Sequence, residues 1–133
     1  MFQRDYMLRI VEQMAQAVAR IAKLEQAGEE EAALAQCEAC IEELSGMSAR
    51  ALTDLPSGFL PQLVEGAGEL NLPKGLMLAR LLAERGRLGE VEVAKRYYSR
   101  ALLLYDELLV RASDAELEHF ADHRDTMTWL ALQ

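Results

Sequence analysis

Apolar residues recur at alternating steps of three and four along the first 27 positions of the chain. This spacing places one apolar side chain per turn on the same face of a helix. The main row consists of Met7, Ile10, Met14, Ala17, Ile21 and Leu24. A second row lies beside it, formed by Leu8, Val11, Ala15, Val18 and Ala22. The sequence therefore predicts one long helix over residues 3–27, with an unusually wide apolar face and a stop at Gly28.

Similar signals continue along the remaining chain. Three glutamates open a second helix at 29–45, where they favour the positive end of the helix dipole. The stretch "LTDLPSGFLPQL" contains two prolines and a glycine, which indicates short helices joined by turns. β-branched residues are scarce, and no convincing strand is found. We expect an all-α, single-domain protein of six or seven helices without a sheet: a hairpin at 3–45, an irregular insert at 46–72, a second hairpin at 73–111 and a C-terminal helix at 114–131.

The two predicted hairpins share a pattern of small residues. Gly28 is followed by Ala33, Cys37 and Cys40, and Gly89 is followed at the same spacing by Ala94, Tyr98 and Ala101. The pattern resembles the second helix of a tetratricopeptide repeat, in which small residues allow two helices to approach closely. The match is partial, because large residues stand at Ile21 and Leu82, no proline closes either copy, and the copies are 61 residues apart. We expect stacked, tetratricopeptide-like hairpins that do not form a regular solenoid.

Three short motifs resemble an uncharacterised bacterial family of small helical proteins. They are "DYMLRIVEQ" at residues 5–13, "ELSGM" at 43–47 and "YYSRALLLYDELL" at 97–109. The resemblance covers about residues 1–111. That family is similar to tetratricopeptide proteins in architecture, so the resemblance implies a helical-hairpin fold. It implies no activity.

The charge balance and the absence of an apolar segment exclude several classes of function. The net charge is −8, whereas nonspecific nucleic-acid binding requires an excess of phosphate-neutralising cations. No run of about 18 apolar residues is available to span a membrane. The N-terminus lacks the apolar core of a secretory signal. We therefore expect a cytoplasmic protein with reduced thiols, which binds neither nucleic acid nor membrane.

The only two cysteines form a C-x-x-C motif at Cys37 and Cys40. Redox motifs of this kind lie at a helix N-terminus, where the dipole lowers the thiol pKa. Here the pair lies about two turns into a predicted helix, and Glu38, Glu42 and Glu43 nearby would raise that pKa. A closed zinc site would need further cysteines or histidines at finger spacing. We interpret both cysteines as reduced, metal-free packing residues.

The histidines give a weak candidate for a metal site. His119 and His123 are four residues apart and share one face of the predicted C-terminal helix, a geometry that can bind zinc. The metalloprotease pattern requires glutamate directly after the first histidine, and Phe120 occupies that position. A solvated acidic helix face is the alternative interpretation. No phosphate loop, nucleophile elbow or catalytic triad is visible, and no cofactor is predicted.

A cluster of cations surrounds the second hairpin of an otherwise acidic chain. Its candidates for partner binding are Arg80, Arg87, Lys95, Arg96 and Arg100, with Arg85 nearby. Such cations on repeat-like hairpins suit carboxylate-bearing peptides. The alternative is ordinary surface pairing with Glu84, Glu90 and Glu92. The sequence thus favours a noncatalytic protein-interaction or scaffold module that binds a protein or an acidic peptide. A small metal- or ligand-binding helical sensor is the alternative, and an enzyme is not expected.

Two predicted helices carry more apolar surface than one hairpin covers. In the helix at 90–111, Leu102, Leu103 and Leu104 point around about 200° of the circumference. We favour a twofold homodimer, which would supply the cover, with Val18 and Leu103 as candidate contact residues. Alternatively, the insert and the C-terminal helix, which carries Trp129, fold back as the cover.

Overall fold

A computed structural model describes residues 2–66 and 69–114 of the chain. Within them the all-α fold is confirmed, with five α-helices and one 3₁₀ helix. The α-helices are α1 (Phe2–Gln26), α2 (Glu30–Ser45), α3 (Ala49–Asp54), α4 (Leu72–Leu88) and α5 (Val91–Arg111), and the 3₁₀ helix is Ser57–Val64. The bounds of α1, α2 and α5 lie within one residue of those predicted. The helix predicted at 114–131 lies outside the described residues.

Glycines and side-chain caps mark the helix ends. Gly28 and Gly46 have φ values of 79° and 76°, a left-handed conformation that glycine adopts without steric cost. The amide of Gly46 donates to the Glu42 carbonyl at 2.8 Å and closes α2. Asn71 caps α4 by accepting from the Lys74 amide, and Pro73 fits the first turn, where no intrahelical hydrogen bond is lost.

The segment between the hairpins contains the short helices that its prolines and glycine predict. A pairing that the sequence did not predict follows the 3₁₀ helix. Two-residue strands β1 (Glu65–Gly66) and β2 (Glu69–Leu70) pair antiparallel, with Glu65 opposite Leu70. This pairing leads the chain from the 3₁₀ helix into α4 and leaves the fold class unchanged.

Helix α4 is the centre of the molecule. It contacts α1, α2, α5 and the 3₁₀ helix, so its side chains are buried around most of its circumference. Its buried apolar residues include Leu72, Leu76, Met77, Leu78, Ala79, Leu81, Leu82 and Ala83. Helix α1 contributes Met14, Ala17 and Ile21 to the same core. In the second apolar row of α1, Ala15 is exposed, whereas Val18 and Ala22 are half-buried. None of the described helices is long and apolar enough to cross a membrane.

Gly75 allows α4 to approach α5 and the 3₁₀ helix closely. A Cβ atom at this position would lie 2.5 Å from Leu108 Cδ2 and 3.0 Å from Val64 Cγ1, and both residues are fully buried. A Cβ atom at Gly58, in contrast, would have no neighbour within 4 Å. The first glycine is therefore required by packing, and the second is not.

We predict that Gly75→Ala lowers the free energy of unfolding by about 1–2 kcal/mol, because overpacking costs more than the helix propensity that alanine gains. Gly58→Ala is the control and should change it by less than about 0.5 kcal/mol. Urea denaturation followed by circular dichroism measures both values. Equal stability of the two variants would contradict the close approach at Gly75.

Candidate functional site

A groove between α3 and α5 brings together three cations of the predicted cluster. It encloses about 540 Å³, is open to solvent, and is lined by Thr53, Asp54, Lys95, Arg96, Ser99, Arg100 and Leu103. We call it the basic groove. Its lining carries three positive charges and one negative charge, in a chain whose net charge is −8. The groove thus concentrates positive charge on an acidic protein.

The position of these cations follows from the helical period of α5. Tyr97, Ala101, Leu104 and Leu108 are buried against the core, so residues half a turn away face solvent. Lys95 and Arg96 are exposed there. In the described part of the chain, no carboxylate forms an ion pair with either of them, and neither Glu90 nor Glu92 pairs with Arg100. Both exposed cations therefore present their charge to solvent.

Arg100 is held in place by the end of α3. Its Nη2 donates to the backbone carbonyl of Thr53 at 2.9 Å. That carbonyl belongs to the last turn of a helix, where the dipole is negative and a cation is favoured. The hydrogen bond fixes the guanidinium at the groove wall, so part of its role is to join α3 to α5.

The other predicted cations do not line the basic groove. Arg80 Nε lies 3.2 Å from Glu84 Oε1. Arg87 donates to Glu84 on its own helix and to Glu25 on α1. The side chain of Glu84 is only 8 % exposed, so these contacts compensate a nearly buried charge. For Arg80 and Arg87 the structure shows the surface-pairing alternative, in which Arg87 also links α4 to α1.

Arg85 connects the two hairpins. Its Nε donates to Glu38 Oε1 on α2 at 2.7 Å, and its guanidinium lies over the Tyr97 ring of α5, 4.7 Å from the ring centroid. The cation–π contact and the ion pair together place this side chain between α2 and α5. Burial raises the pKa of the Tyr97 hydroxyl.

Both cysteines are free and buried, as their packing interpretation predicts. Cys37 Sγ donates to the Leu81 carbonyl of α4 at 3.3 Å. Burial, followed by the charge of Glu84, raises the pKa of Cys37 to about 12. Along the sequence, the glutamates expected to raise the thiol pKa were Glu38, Glu42 and Glu43. In the fold, the packing of α4 on α2 also brings Glu84 close to the thiol. Cys37 is therefore protonated at neutral pH.

The structure gives less information about the remaining candidate residues. His119 and His123 lie outside the described residues, and the described residues contain no cluster of three or more side chains able to hold a metal. Val18 is half-buried against the core, whereas Leu103 is 42 % exposed at the end of the basic groove. Tyr98 of the repeat pattern is only half-buried, and its neighbour Tyr97 occupies the core instead.

A second open groove of about 530 Å³ lies between the start of α2 and the α4–α5 turn. Glu30, Glu31 and Glu90 line it together with Arg85 and apolar side chains. Its net negative charge makes it unsuitable for the acidic partner that the sequence predicts. The two grooves have opposite charge, which singles out the basic groove as the candidate site.

Comparison with protein-family models, curated proteins and solved structures finds no match to this chain. The resemblance to the uncharacterised bacterial family therefore stays a prediction from the three motifs. Thr53, Asp54 and Ser99 complete the groove and were not predicted. The position of Arg100 depends on its hydrogen bond to α3, and no sequence signal linked that short helix to α5.

The ion pairs of Arg87 generate a stability prediction. Arg87→Gln removes one charged partner of Glu84 and the link to Glu25, so we expect the free energy of unfolding to fall by about 1–3 kcal/mol. Arg20→Gln, at an exposed cation of α1, should change it by less than about 0.5 kcal/mol. Urea denaturation at neutral pH compares them. A negligible loss in Arg87→Gln would mean that Arg80 alone compensates Glu84.

The raised pKa of Cys37 generates a pH prediction. Above about pH 9 the thiol ionises in the unfolded chain but stays protonated in the folded one until about pH 12, so the folded state binds more protons. Stability should therefore fall with rising pH in this window, by up to about 1.4 kcal/mol per pH unit from this group. The slope should be smaller in Cys37→Ser, whose hydroxyl can still donate to Leu81 but does not titrate. Identical slopes in the two proteins would show that burial does not raise this pKa.

Proposed function

We propose that the protein is a noncatalytic interaction module, in which the basic groove binds an acidic peptide segment of a partner protein. The observation that carries the proposal is that Lys95 and Arg96, beside Arg100, are exposed and pair with no carboxylate of the described residues, in a strongly acidic chain. Exposed cations without intramolecular partners lose no existing ion pair when they bind a carboxylate.

The form of the groove supports this proposal. Arg100 is already positioned by its hydrogen bond to Thr53, so less side-chain entropy is lost when it contacts a carboxylate. Leu103 adds an exposed apolar contact at one end, and Ser99 adds a hydroxyl that can donate to a backbone carbonyl. Peptide-binding surfaces commonly combine charged residues at the rim with an apolar contact.

The arrangement of helices is compatible with a tetratricopeptide-like module. Helix α4 packs against both helices of the first hairpin, so the second hairpin is stacked on the first through its leading helix. We propose on this basis that the hairpins form a short, irregular relative of such repeats, as the family resemblance implies. We also propose that the protein acts in the cytoplasm.

Binding of a defined peptide tests the proposal. The probe is a fluorescein-labelled peptide of alternating glutamate and serine, and its glutamine counterpart is the uncharged reference. Fluorescence anisotropy at low ionic strength should detect the glutamate peptide and not the glutamine peptide. Salt should weaken the binding, because exposed charges are screened.

The variant Lys95→Gln/Arg96→Gln should weaken binding of the glutamate peptide about tenfold, the loss expected for two exposed ion pairs of up to about 1 kcal/mol each. The matched control is Arg20→Gln/Lys23→Gln, which removes the same charge from exposed positions on α1. Its affinity should change less than about twofold. Equal losses in both variants would reduce the interaction to overall charge, and binding of the glutamine peptide would refute carboxylate recognition.

A further inference from the structure

The groove at the start of α2, which the proposed function does not use, carries uncompensated negative charge. We call it the acidic groove, and it encloses about 530 Å³. Glu30 and Glu31 of α2 and Glu90 of the α4–α5 turn line it, and all three side chains are exposed. Within the described residues none of these glutamates forms an ion pair, and the Glu90 side chain does not cap α5. Their carboxylates are therefore available to a cation from outside the chain.

Apolar side chains line the same groove beside these carboxylates. Leu34 lies one helical turn after the two glutamates of α2 and shares their face of that helix. Val93 lies three residues after Glu90, at the start of α5, and is 37 % exposed. Leu88, half-buried at the end of α4, completes the apolar surface. Both walls of the groove thus combine a carboxylate with an apolar side chain.

A hydrogen-bond donor without an acceptor lies at the floor of the acidic groove. Arg85 lines the groove, and only 13 % of its side chain is exposed. Its Nε donates to Glu38, but its Nη1 is fully buried and has no hydrogen-bond partner among the described residues. Nη1 lies against Gly89, because a Cβ atom at Gly89 would collide with it. Nearly all buried polar groups in proteins are hydrogen-bonded, so this donor points to an acceptor supplied by a ligand of the groove.

We propose that the acidic groove binds a cationic segment of a partner protein, in which lysine or arginine residues flank an apolar residue. The cations contact the three glutamates, and the apolar side chain packs between Leu34, Leu88 and Val93. A backbone carbonyl of the segment accepts a hydrogen bond from Arg85 Nη1. This contact requires the guanidinium to turn slightly toward the groove, because Gly89 covers Nη1 in the unbound protein. The proposal does not depend on the basic groove or on its acidic partner.

The charges around the acidic groove favour a cationic occupant. The positive charge of Arg85 does not repel it, since Glu38 compensates that charge at 2.7 Å. The net charge of −8 on the whole chain also attracts a cationic partner over a longer range. A second copy of this chain is a poorer occupant, because it carries the same net charge and is repelled.

Binding of a labelled peptide to the full-length protein tests the proposal. The probe is a fluorescein-labelled peptide of lysine, leucine and serine; glutamine replaces lysine in one reference peptide, and serine replaces leucine in another. Fluorescence anisotropy at low ionic strength should detect the lysine–leucine peptide and not the glutamine reference. The leucine-free reference should bind about fivefold more weakly, because it lacks the apolar contact. Equal binding of the lysine–leucine peptide and the glutamine reference would overturn cation recognition.

Neutralising the groove tests whether these glutamates form the site. Glu30→Gln/Glu31→Gln/Glu90→Gln should weaken binding of the lysine–leucine peptide at least about tenfold, through the loss of three exposed ion pairs. Circular dichroism verifies that the variant keeps its helicity.

The matched control removes the same charge from exposed positions outside the groove. Glu12→Gln/Glu43→Gln/Asp106→Asn should change the affinity for the lysine–leucine peptide less than about twofold. Equal losses in the two triple variants would reduce the interaction to overall charge and overturn the proposed site.

Two further variants separate the hydrogen bond of Arg85 and the basic groove from this result. Arg85→Lys keeps a positive charge beside Glu38 but removes Nη1, so the peptide should bind about threefold to tenfold more weakly to a variant of unchanged helicity. Unchanged affinity would overturn the contact at Nη1. Lys95→Gln/Arg96→Gln should bind the lysine–leucine peptide at least as tightly as the unmodified protein does, and a weaker affinity would contradict the placement of the site. Failure of the unmodified protein to bind this peptide would overturn the proposal and leave the binding of the glutamate–serine peptide to be decided separately.

Discussion

The packing of α4 between the first hairpin and α5 is the contact on which the other features of the molecule depend. Its apolar side chains point in nearly all directions, and each direction meets a different helix or the 3₁₀ helix. Burial of apolar surface is the main driving force of folding, so this helix contributes to every part of the core at once. Gly75, where α4 meets α5 and the 3₁₀ helix, shows how little space the arrangement leaves.

The polar contacts around α4 make this packing specific. Arg85 pairs with Glu38 of α2, and Arg87 pairs with Glu25 of α1, so both helices of the first hairpin are fixed against the same turn of α4. Exposed ion pairs contribute little to stability, but a nearly buried charge such as Glu84 requires its partners. Arg85 and Arg87 therefore have a structural role, because they connect α4 to the first hairpin. The cations of α5 differ because their helix face points away from the core.

The cations of α4 and α5 therefore have different roles, and the position of each cation determines its role. The arginines of α4 lie where helices converge and are compensated by glutamates from three elements. Lys95 and Arg96 lie on the face of the last described helix that no described element covers. This difference in surroundings, and not a difference in residue type, is what makes the basic groove the candidate site.

The sequence by itself determined the helical class and the bounds of the long helices, because apolar period, glycine stops and capping residues act over only a few positions. It also indicated the burial of the cysteine pair, since the repeat pattern gave both residues a packing position. Only the tertiary structure decided which arginines are paired, because Glu25 and Glu38 are distant from Arg87 and Arg85 along the chain. It likewise decided that Thr53 of α3 meets Arg100, and that Glu84 lies near the Cys37 thiol. Such contacts depend on how the helices pack in three dimensions, and short-range sequence patterns do not specify that packing.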